Sequence, residues 1–440
     1  MTGAAPTGEQ VLGRLDALTT WPYRPQVLVA VGAAWFFAFI DIVNVGYALP
    51  VITDQFHISS SAAAMAVTLG LVGYVVGSLL DGVIGDRYGR RLALTLSVIT
   101  FSIGSLIAVF SQDLTVLCVG RFIAGMGIGA EISAATAYIG EISPARLRGR
   151  AGGLAAACGY VGMAAVPFIA MVLVPNFAWG WRVLLLIGAV GAVVVLPLRL
   201  HLPGSPRWLV TRDRLGEADA IVAEAERRAS ETPSRIRATH LPRVPPPRPP
   251  RRRHAFAVYA ALFTAVWFVY YVGNYAWLTL APTLLTDQGF SLSSSIGFLS
   301  VTGLGFVVGG FSAFAVGERI ERKPMIVGLL AAWAISLVIV GLWPSPGVIM
   351  VFGFVASVTI GFAVPVMYVY TAEHFTSARR ARGVSIADGT GHIGGAIAPY
   401  VVLPAAGLSF AWGMGVMAIT GAVAAVLVLF GRRLNGAPVD

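Results

Sequence analysis

The sequence predicts an all-α membrane protein with twelve transmembrane helices in two six-helix pseudo-repeats. Three observations predict this fold: the apolar composition, the length of the apolar blocks and the distribution of basic residues. Of the 440 residues, 57% are apolar and 12% are charged, whereas a soluble domain carries about 25% charged residues. The apolar residues also form blocks of the roughly 20 residues that one membrane-spanning helix needs. The composition therefore excludes an ordinary water-soluble protein.

The apolar blocks define the expected spans, which fall before residue 201 and after residue 254. The first block is too long for the apolar region of a cleavable signal peptide. The expected organisation is a tail (1–25), a first half (26–200), a linker (201–254), a second half (255–430) and a tail (431–440). In chain order the expected spans are 26–50, 62–84, 92–111, 114–139, 150–174, 182–200, 255–284, 294–317, 324–343, 346–371, 383–404 and 409–430.

The basic residues predict the orientation of these spans. If the helices alternate in direction, 29 of the 31 Lys and Arg residues fall on one side, and the two others are Arg121 and Arg182. Short loops rich in Lys and Arg stay in the cytoplasm. We therefore expect both termini to be cytoplasmic in a plasma membrane, the bacterial inner membrane. The net charge of +10 is then a topology signal, and no nucleic-acid partner is expected.

The linker contains one predicted helix and one proline-rich stretch. Small apolar and charged residues alternate at helical spacing over 213–228, which indicates a short surface helix. Residues 241–250 form a semi-extended proline-rich segment. The basic run that follows, 251–254, either contacts anionic lipid headgroups or only marks the cytoplasmic side.

The two halves carry the same charged motif at an offset of 232 residues. The loop after the second span has the order acid, base, two other residues, base, base, and the loop after the eighth span repeats it. An acid that closes the fourth span recurs at the end of the tenth at the same offset. Parallel repeats of this kind build transporters that rock about a midplane site. The repeated positions are Asp86, Arg87, Arg90, Arg91 and Glu141, and Glu318, Arg319, Arg322, Lys323 and Glu373.

The loop after the second span matches a known signature. It reads Gly82-Val-Ile-Gly-Asp86-Arg87-Tyr-Gly89-Arg90-Arg91, which resembles the G-x-L-a-D-R-x-G-R-R motif of the major facilitator superfamily, with Ile84 at the Leu position. The fourth span, with Gly120-Arg121 and glycines at 125, 127 and 129, extends the likeness. The series resembles the sugar-porter and metabolite:proton symporter branch, and implies transport by alternating access.

The resemblance also implies latches, which are contacts between charged residues that join helices on the cytoplasmic side. They form when the transporter faces outwards and break when it opens inwards. The alternative is that these charges only solvate loops and set topology. Gly82, Gly85 and Gly89 suit a tight turn and a close approach of helices. The implied gate residues are Gly82, Asp86, Arg87, Gly89, Arg90, Arg91, Glu141 and Arg148 in the first half, and Glu318, Arg322, Glu373 and Arg382 in the second.

Charged residues inside spans are costly and are candidates for function. Asp41 lies roughly 13 Å below the end of the first span, and Arg121 roughly 10 Å below the start of the fourth, at 1.5 Å per residue. The two match an Asp–Arg pair of proton-coupled sugar porters, so the resemblance implies proton coupling. The alternative is a fixed structural pair. Glu131 is about 15 Å deeper; it could be a second proton carrier, a ligand for a cationic solute or a latch partner of a loop arginine.

The expected substrate cavity is aromatic and sparingly polar. Its candidates are Asn44 in the first span, then Tyr270, Tyr271, Asn274 and Tyr275 in the seventh, although aromatic residues can also be interface anchors. In the eleventh span, Asp388 and His392 are one turn apart and share a helix face. They form either a site that binds the substrate anion or a second proton, or a pair in which Asp388 is only a hydrogen-bonding partner of His392.

The favoured function is a secondary transporter that moves an organic or aromatic acid, or a related metabolite, with protons. A sugar is less favoured because it needs many hydrogen-bonding groups. The resemblance implies glutamines in the fifth and seventh spans of a sugar-binding member, and the fifth span here has none over 152–160. The alternatives are a proton-coupled drug or natural-product efflux antiporter and, more remotely, a transporter-like sensor. No enzymatic activity, cofactor or metal is expected, and Cys118 and Cys158 are interpreted as packing residues. The expected partners are the solute, protons and the lipid bilayer, with a monomer as the functional unit.

Overall fold

The computed structural model describes residues 6–231, 253–316, 320–375 and 379–433. Within these ranges, twelve helices are long and apolar enough to cross a membrane, which confirms the predicted all-α architecture. The helices are α1 (Gly8–Ala17), α2 (Pro25–Phe56), α3 (Ser60–Ala63), α4 (Met65–Tyr88), α5 (Arg90–Val109), α6 (Leu114–Ile142), α7 (Arg148–Leu173), α8 (Gly180–Arg199), α9 (Pro206–Thr211), α10 (Leu215–Glu231), α11 (Arg253–Asp287), α12 (Leu292–Val316), α13 (Arg322–Leu342), α14 (Pro346–Glu373), α15 (Arg380–Leu408) and α16 (Phe410–Leu429).

Glycines let α4 and α6 approach each other at backbone distance. A Cβ on Gly77 would lie 1.8 Å from the carbonyl oxygen of Met126, and one on Gly129 would lie 2.1 Å from that of Tyr74. No larger side chain fits there unless the two helices move apart, and small residues at such interfaces are typical of membrane helices. This contact holds the motif at the end of α4 in register with α6.

The two halves touch on the outer side, which we define as the side where α2 ends. A Cβ on Gly46 of α2 would lie 2.5 Å from the backbone oxygen of Thr279 in α11. The hydroxyl of Thr68 in α4 donates to the backbone oxygen of Ala396 in α15 at 2.8 Å. The outer ends of the halves are therefore closed against each other.

A helical layer covers the inner side of the first half. The helix α10 covers most of the stretch where the sequence predicts a surface helix, and the proline-rich stretch 241–250 lies outside the described residues. Val11 and Leu15 of α1 are buried against Leu209, Ala218 and Val222 of α9 and α10.

The helix α1 is not predicted by the sequence analysis, which treats this stretch as a polar tail. Ion pairs fix it in place. Arg14 pairs with Asp219 and Glu226 of α10, and Asp16 lies 2.6 Å from Arg207 of α9. Its start is a capping box of Thr7 and Gln10.

Candidate functional site

Asp41 of α2 and Arg121 of α6 form a buried ion pair. Arg121 Nη1 lies 2.9 Å from Asp41 Oδ2, and Arg121 Nη2 donates to the backbone oxygen of Asp41 at 2.8 Å. The other carboxylate oxygen accepts hydrogen bonds from Asn44 at 3.1 Å and Ser105 at 2.9 Å. Both side chains are buried, with Asp41 0% and Arg121 3% exposed.

The helix α8 closes the back of this pair. A Cβ on Gly188 would lie 2.4 Å from Asp41 Oδ1, so the pair leaves no room for a side chain there. Asn44, which the sequence assigns to the substrate cavity, donates a hydrogen bond to the Asp41 carboxylate in this structure.

A small cavity of about 20 Å³ adjoins the pair at the centre of the protein. Arg121 and Tyr74 line it from the first half, and Tyr275 and Thr279 line it from the second. A water needs about 10–15 Å³ of such space. The cavity therefore has room for one water but not for an organic solute, and the halves must separate before a solute can bind.

Asp388 and His392 lie in an aromatic cluster beside this cavity. Asp388 Oδ1 accepts hydrogen bonds from Tyr271 and Tyr368, both at 2.6 Å. His392 Nδ1 lies 2.8 Å from the backbone oxygen of Asp388 and 3.6 Å from its carboxylate. The His392 ring stacks on Tyr74 of the other half, with 4.0 Å between centroids and 17° between planes. This stack joins the two halves.

The remaining predicted cavity residues, Tyr270 and Asn274, do not line the central cavity. Tyr270 packs against Trp267 and Trp333 within the second half. In the described part of the chain, the Tyr270 hydroxyl and the Asn274 Oδ1 atom are buried without a hydrogen-bond partner. Their roles as cavity residues stay a prediction.

Glu131 forms a second buried ion pair, with a partner that the sequence analysis missed. It pairs with Arg199 at the end of α8 and accepts a hydrogen bond from Ser97 of α5 at 2.6 Å. Glu131 and Arg199 are 0% and 4% exposed. The signal was available, because Arg199 is a basic residue inside the last turn of a span, but it is one of the 29 basic residues that the sequence assigns to the cytoplasmic side.

The predicted latch charges form the same ion pair in both halves. Arg90 lies 2.8 Å from both Asp86 and Glu141, and Arg322 lies 2.9 Å from Glu373. The second pair stands at the offset of 232 residues from Arg90–Glu141. Each pair joins helices of one half. Glu318 lies outside the described residues.

The other charged motif residues occupy separate places. The Arg87 guanidinium lies 5.4 Å from the Tyr88 ring centroid, and Arg91 donates to the backbone oxygen of Leu200 at 3.0 Å. Arg148 lies 3.1 Å from Asp16 of α1. Arg382 is exposed.

The three motif glycines differ in backbone conformation and in the space around them. Gly89 has a φ of +95°, which favours glycine, and it packs against the Trp208 ring. A Cβ on Gly85 would lie 2.5 Å from Arg90 Nη1. A Cβ on Gly82 would meet no atom within 4 Å, so the expected close approach of helices at Gly82 is wrong.

The family profile and the relatives with similar sequences agree with one another. The profile described as "Sugar (and other) transporter" matches residues 27–432. The niacin transporter of Acinetobacter baylyi is 28% identical over 437 residues, covering 98% of this chain and 99% of the relative. The 4-hydroxybenzoate transporter of Pseudomonas aeruginosa is 28% identical, covering 90% of this chain and 89% of the relative. A putative metabolite transport protein of Escherichia coli is 31% identical over 84% of this chain and 82% of its own length.

Solved structures show the same fold. The partially occluded, inward-open xylose transporter of E. coli superposes with a TM-score of 0.75 at 18% identity, covering 94% of this chain and 99% of that one. The D-xylose-proton symporter superposes with a TM-score of 0.73 at 20% identity, with the same coverage. The family profile spans nearly the whole chain, and the fold agrees with it. The chain therefore belongs to the family of sugar and other transporters in the major facilitator superfamily, and is a multi-pass membrane transporter and not an enzyme.

Proposed function

We propose that this protein imports a small organic acid, of the planar aromatic class, together with protons by alternating access. The observation that carries the proposal is the buried Asp41–Arg121 pair beside the central cavity. An ion pair in a membrane span is costly to bury and marks a proton or substrate pathway. Here one member of the pair also lines the cavity, so the proton site and the solute site share Arg121.

The pair supports a coupling mechanism. Protonation of Asp41 removes the negative charge that holds the Arg121 guanidinium, and a ligand that binds one state better than the other shifts the equilibrium between them. Arg121 Nε is already buried without a partner among the described residues. A solute carboxylate can then take the place of the Asp41 carboxylate on the guanidinium, since arginine binds carboxylates with two parallel hydrogen bonds. Proton and anion thus enter together.

The cavity lining supports an acid over a sugar. Its walls are mostly apolar or aromatic, including Tyr74, Tyr275, Ile42 and Leu71, with Thr279 and Arg121 as polar groups. A sugar with several hydroxyl groups would leave many of them without partners, at a cost of kilocalories each. Aromatic walls suit a planar ring, and the relatives named for niacin and 4-hydroxybenzoate transport point to the same class.

The distribution of basic residues supports insertion in the bacterial inner membrane, with both termini and the linker (201–254) in the cytoplasm. The chain then divides into the tails 1–25 and 431–440 and the halves 26–200 and 255–430. The functional unit is a monomer, because the cavity is lined by the two halves of one chain.

Uptake into liposomes tests the function. Purified protein is reconstituted, an inward proton gradient is imposed, and accumulation of nicotinate, 4-hydroxybenzoate and xylose is measured. We expect uphill accumulation of an aromatic acid and none of xylose. Asp41→Asn should abolish this accumulation while counterflow exchange persists. Asp54→Asn, an exposed acid on the same helix, is the matched control and should behave as the wild type.

Two results would contradict the proposal. Full proton-driven accumulation by Asp41→Asn would exclude Asp41 as the proton carrier. Accumulation of xylose but of neither acid by the wild type would refute the solute class while leaving transport itself intact.

A further inference from the structure

The helices α4 of the first half and α15 of the second pack side by side, and glycines of α15 bring them close together. A Cβ on Gly395 would lie 3.1 Å from the Leu71 side chain, and one on Gly389 would lie 3.6 Å from the Ser78 hydroxyl. Small residues at such positions let membrane helices approach closely. This contact between α4 and α15 must open when the two halves separate.

Two rings face each other in the middle of this contact. Tyr74 and His392 are 4% and 3% exposed, and their rings are nearly parallel, with 4.0 Å between centroids. On its own side, His392 also contacts the rings of Tyr271 and Tyr275, at 4.2 Å and 5.6 Å between centroids. Those two tyrosines belong to the second half with His392, whereas Tyr74 belongs to the first. Separation of the halves therefore uncovers one ring face on Tyr74 and one on His392.

The uncovered faces border the space that a solute enters. Tyr74 and Tyr275 line the central cavity, which at about 20 Å³ is too small for an organic solute until the halves separate. An aromatic ring placed between Tyr74 and His392 would restore a ring contact on both faces. Aromatic pairs gain stability beyond that of the apolar area they bury, and a saturated ring has no π face for such a contact.

A guanidinium lies within reach of a carboxylate on such a ring. Gly70 is one helical turn before Tyr74 on α4, so the two positions share a helix face and are about 5–6 Å apart. A Cβ on Gly70 would lie 4.0 Å from the Nε atom of Arg121, which is buried without a hydrogen-bond partner among the described residues. Tyr74 and Arg121 both belong to the first half, which moves as a unit in transporters of this kind. Their spacing suits a planar ring that carries a carboxylate.

We propose that Tyr74 and His392 determine the specificity of the solute site by holding the flat ring of the solute between them, while Arg121 binds its carboxylate. This inference rests on the proposed function and deepens it, because it names the groups that select an aromatic acid. His392 acts here through the face of its ring. Binding of the solute replaces the Tyr74–His392 contact of the closed structure by two ring contacts.

Binding of two matched acids tests this site. Benzoate and cyclohexanecarboxylate have the same charge and the same number of ring atoms, but only benzoate is flat and aromatic. Titration calorimetry on the purified full chain in detergent, at one mildly acidic pH, gives the Kd of each acid. The wild type should bind benzoate roughly tenfold more tightly than cyclohexanecarboxylate, the order expected for ring contacts on two faces.

The ratio of the two Kd values should follow the ring faces. His392→Gln keeps a hydrogen-bond donor but has no ring, and it should bring the ratio close to one, as should Tyr74→Leu. His392→Phe and Tyr74→Phe keep the rings and should retain the wild-type ratio. Tyr400→Leu is the matched control, because it removes an exposed ring from α15, and it should leave the ratio unchanged. General damage to the fold would weaken the binding of both acids alike, so the ratio reports the ring contacts.

The outcomes separate this site from other roles of His392 and from the proposed function. A ratio near one in the wild type, or the wild-type ratio in both His392→Gln and Tyr74→Leu, would overturn the stacking site and leave transport of an organic acid standing. Loss of benzoate binding in His392→Phe, with unchanged thermal unfolding, would show that the imidazole binds the anion or a proton, and would also overturn it. Failure of the wild type to bind or accumulate any of the aromatic acids would overturn the proposed solute class together with this inference.

Discussion

The Glu131–Arg199 pair offers a sharp test of whether a buried charge is structural or carries protons. Both side chains are essentially inaccessible, at 0% and 2% exposure, and Ser97 donates to the second Glu131 oxygen at 2.6 Å. Removal of one partner from such a pair leaves an unpaired buried charge and costs about 3–5 kcal/mol. We expect Glu131→Gln and Arg199→Met each to lower the stability of the protein by about that amount.

The double variant separates the loss of the pair from the loss of a single charge. Replacement of both partners of a buried pair by neutral groups is often close to neutral. Glu131→Gln combined with Arg199→Met should therefore recover most of the stability that either change loses alone, and the coupling energy of this double-mutant cycle should be large. Thermal unfolding of the four proteins in one detergent, followed by tryptophan fluorescence, measures it.

The opposite pattern would refute this reasoning. If Glu131→Gln is as stable as the wild type but transports with fewer protons per solute, Glu131 is a proton carrier and its pairing with Arg199 is not structural. The control is Glu217→Gln, which alters an exposed ion pair with Arg214. Exposed pairs contribute little to stability, so this variant should unfold close to the wild-type temperature.

Three further predictions concern the latches, the helix contact and the topology. Glu141→Gln and Glu373→Gln should each favour the inward-open state, seen as faster labelling of cysteines placed in the inner cavity; unchanged labelling in both would argue against latches. Gly77→Ala should destabilise the protein by about 1–3 kcal/mol by overpacking against α6, whereas Gly140→Ala, with open space around it, should be neutral or stabilising; equal thermal unfolding of both would contradict the contact. A cysteine at Ser234→Cys should stay unlabelled by an impermeant reagent added outside intact cells, and labelling there would invert the proposed orientation.

The fold was largely predictable because the length of the apolar blocks and the basic residues of the loops both depend directly on the membrane. The twelve spans follow from apolar blocks that no soluble protein tolerates. The helix α1 was not predictable in this way, because it is short and polar on one face. Its stability comes from contacts of Val11 and Leu15 with α9 and α10, which lie some 200 residues further along the chain.

The site was predictable where depth in the membrane determines which side chains come into contact. Asp41 and Arg121 stand at similar depth on neighbouring helices, and the structure joins them. Depth does not specify the direction of a side chain around the helix axis. For this reason Tyr275 lines the cavity while Tyr270, five residues earlier, packs inside the second half. The partner of Glu131 was missed because Arg199, although inside the expected sixth span (182–200), was grouped with the basic residues of the cytoplasmic side.

The repeated ion pair distinguishes the features that both halves share from the features that only one half has. Arg90–Glu141 and Arg322–Glu373 stand at one offset, on helices with corresponding bounds. At the same offset from Asp41 and Arg121 the second half has Gly273 and Gly353, and a Cβ at either would collide with neighbouring side chains. Among the described residues, the ion pair of the loop motif is thus present in both halves, whereas the buried Asp–Arg pair is present in the first half alone. Changes at solute-binding positions of the second half should therefore leave the Asp41–Arg121 pair itself intact.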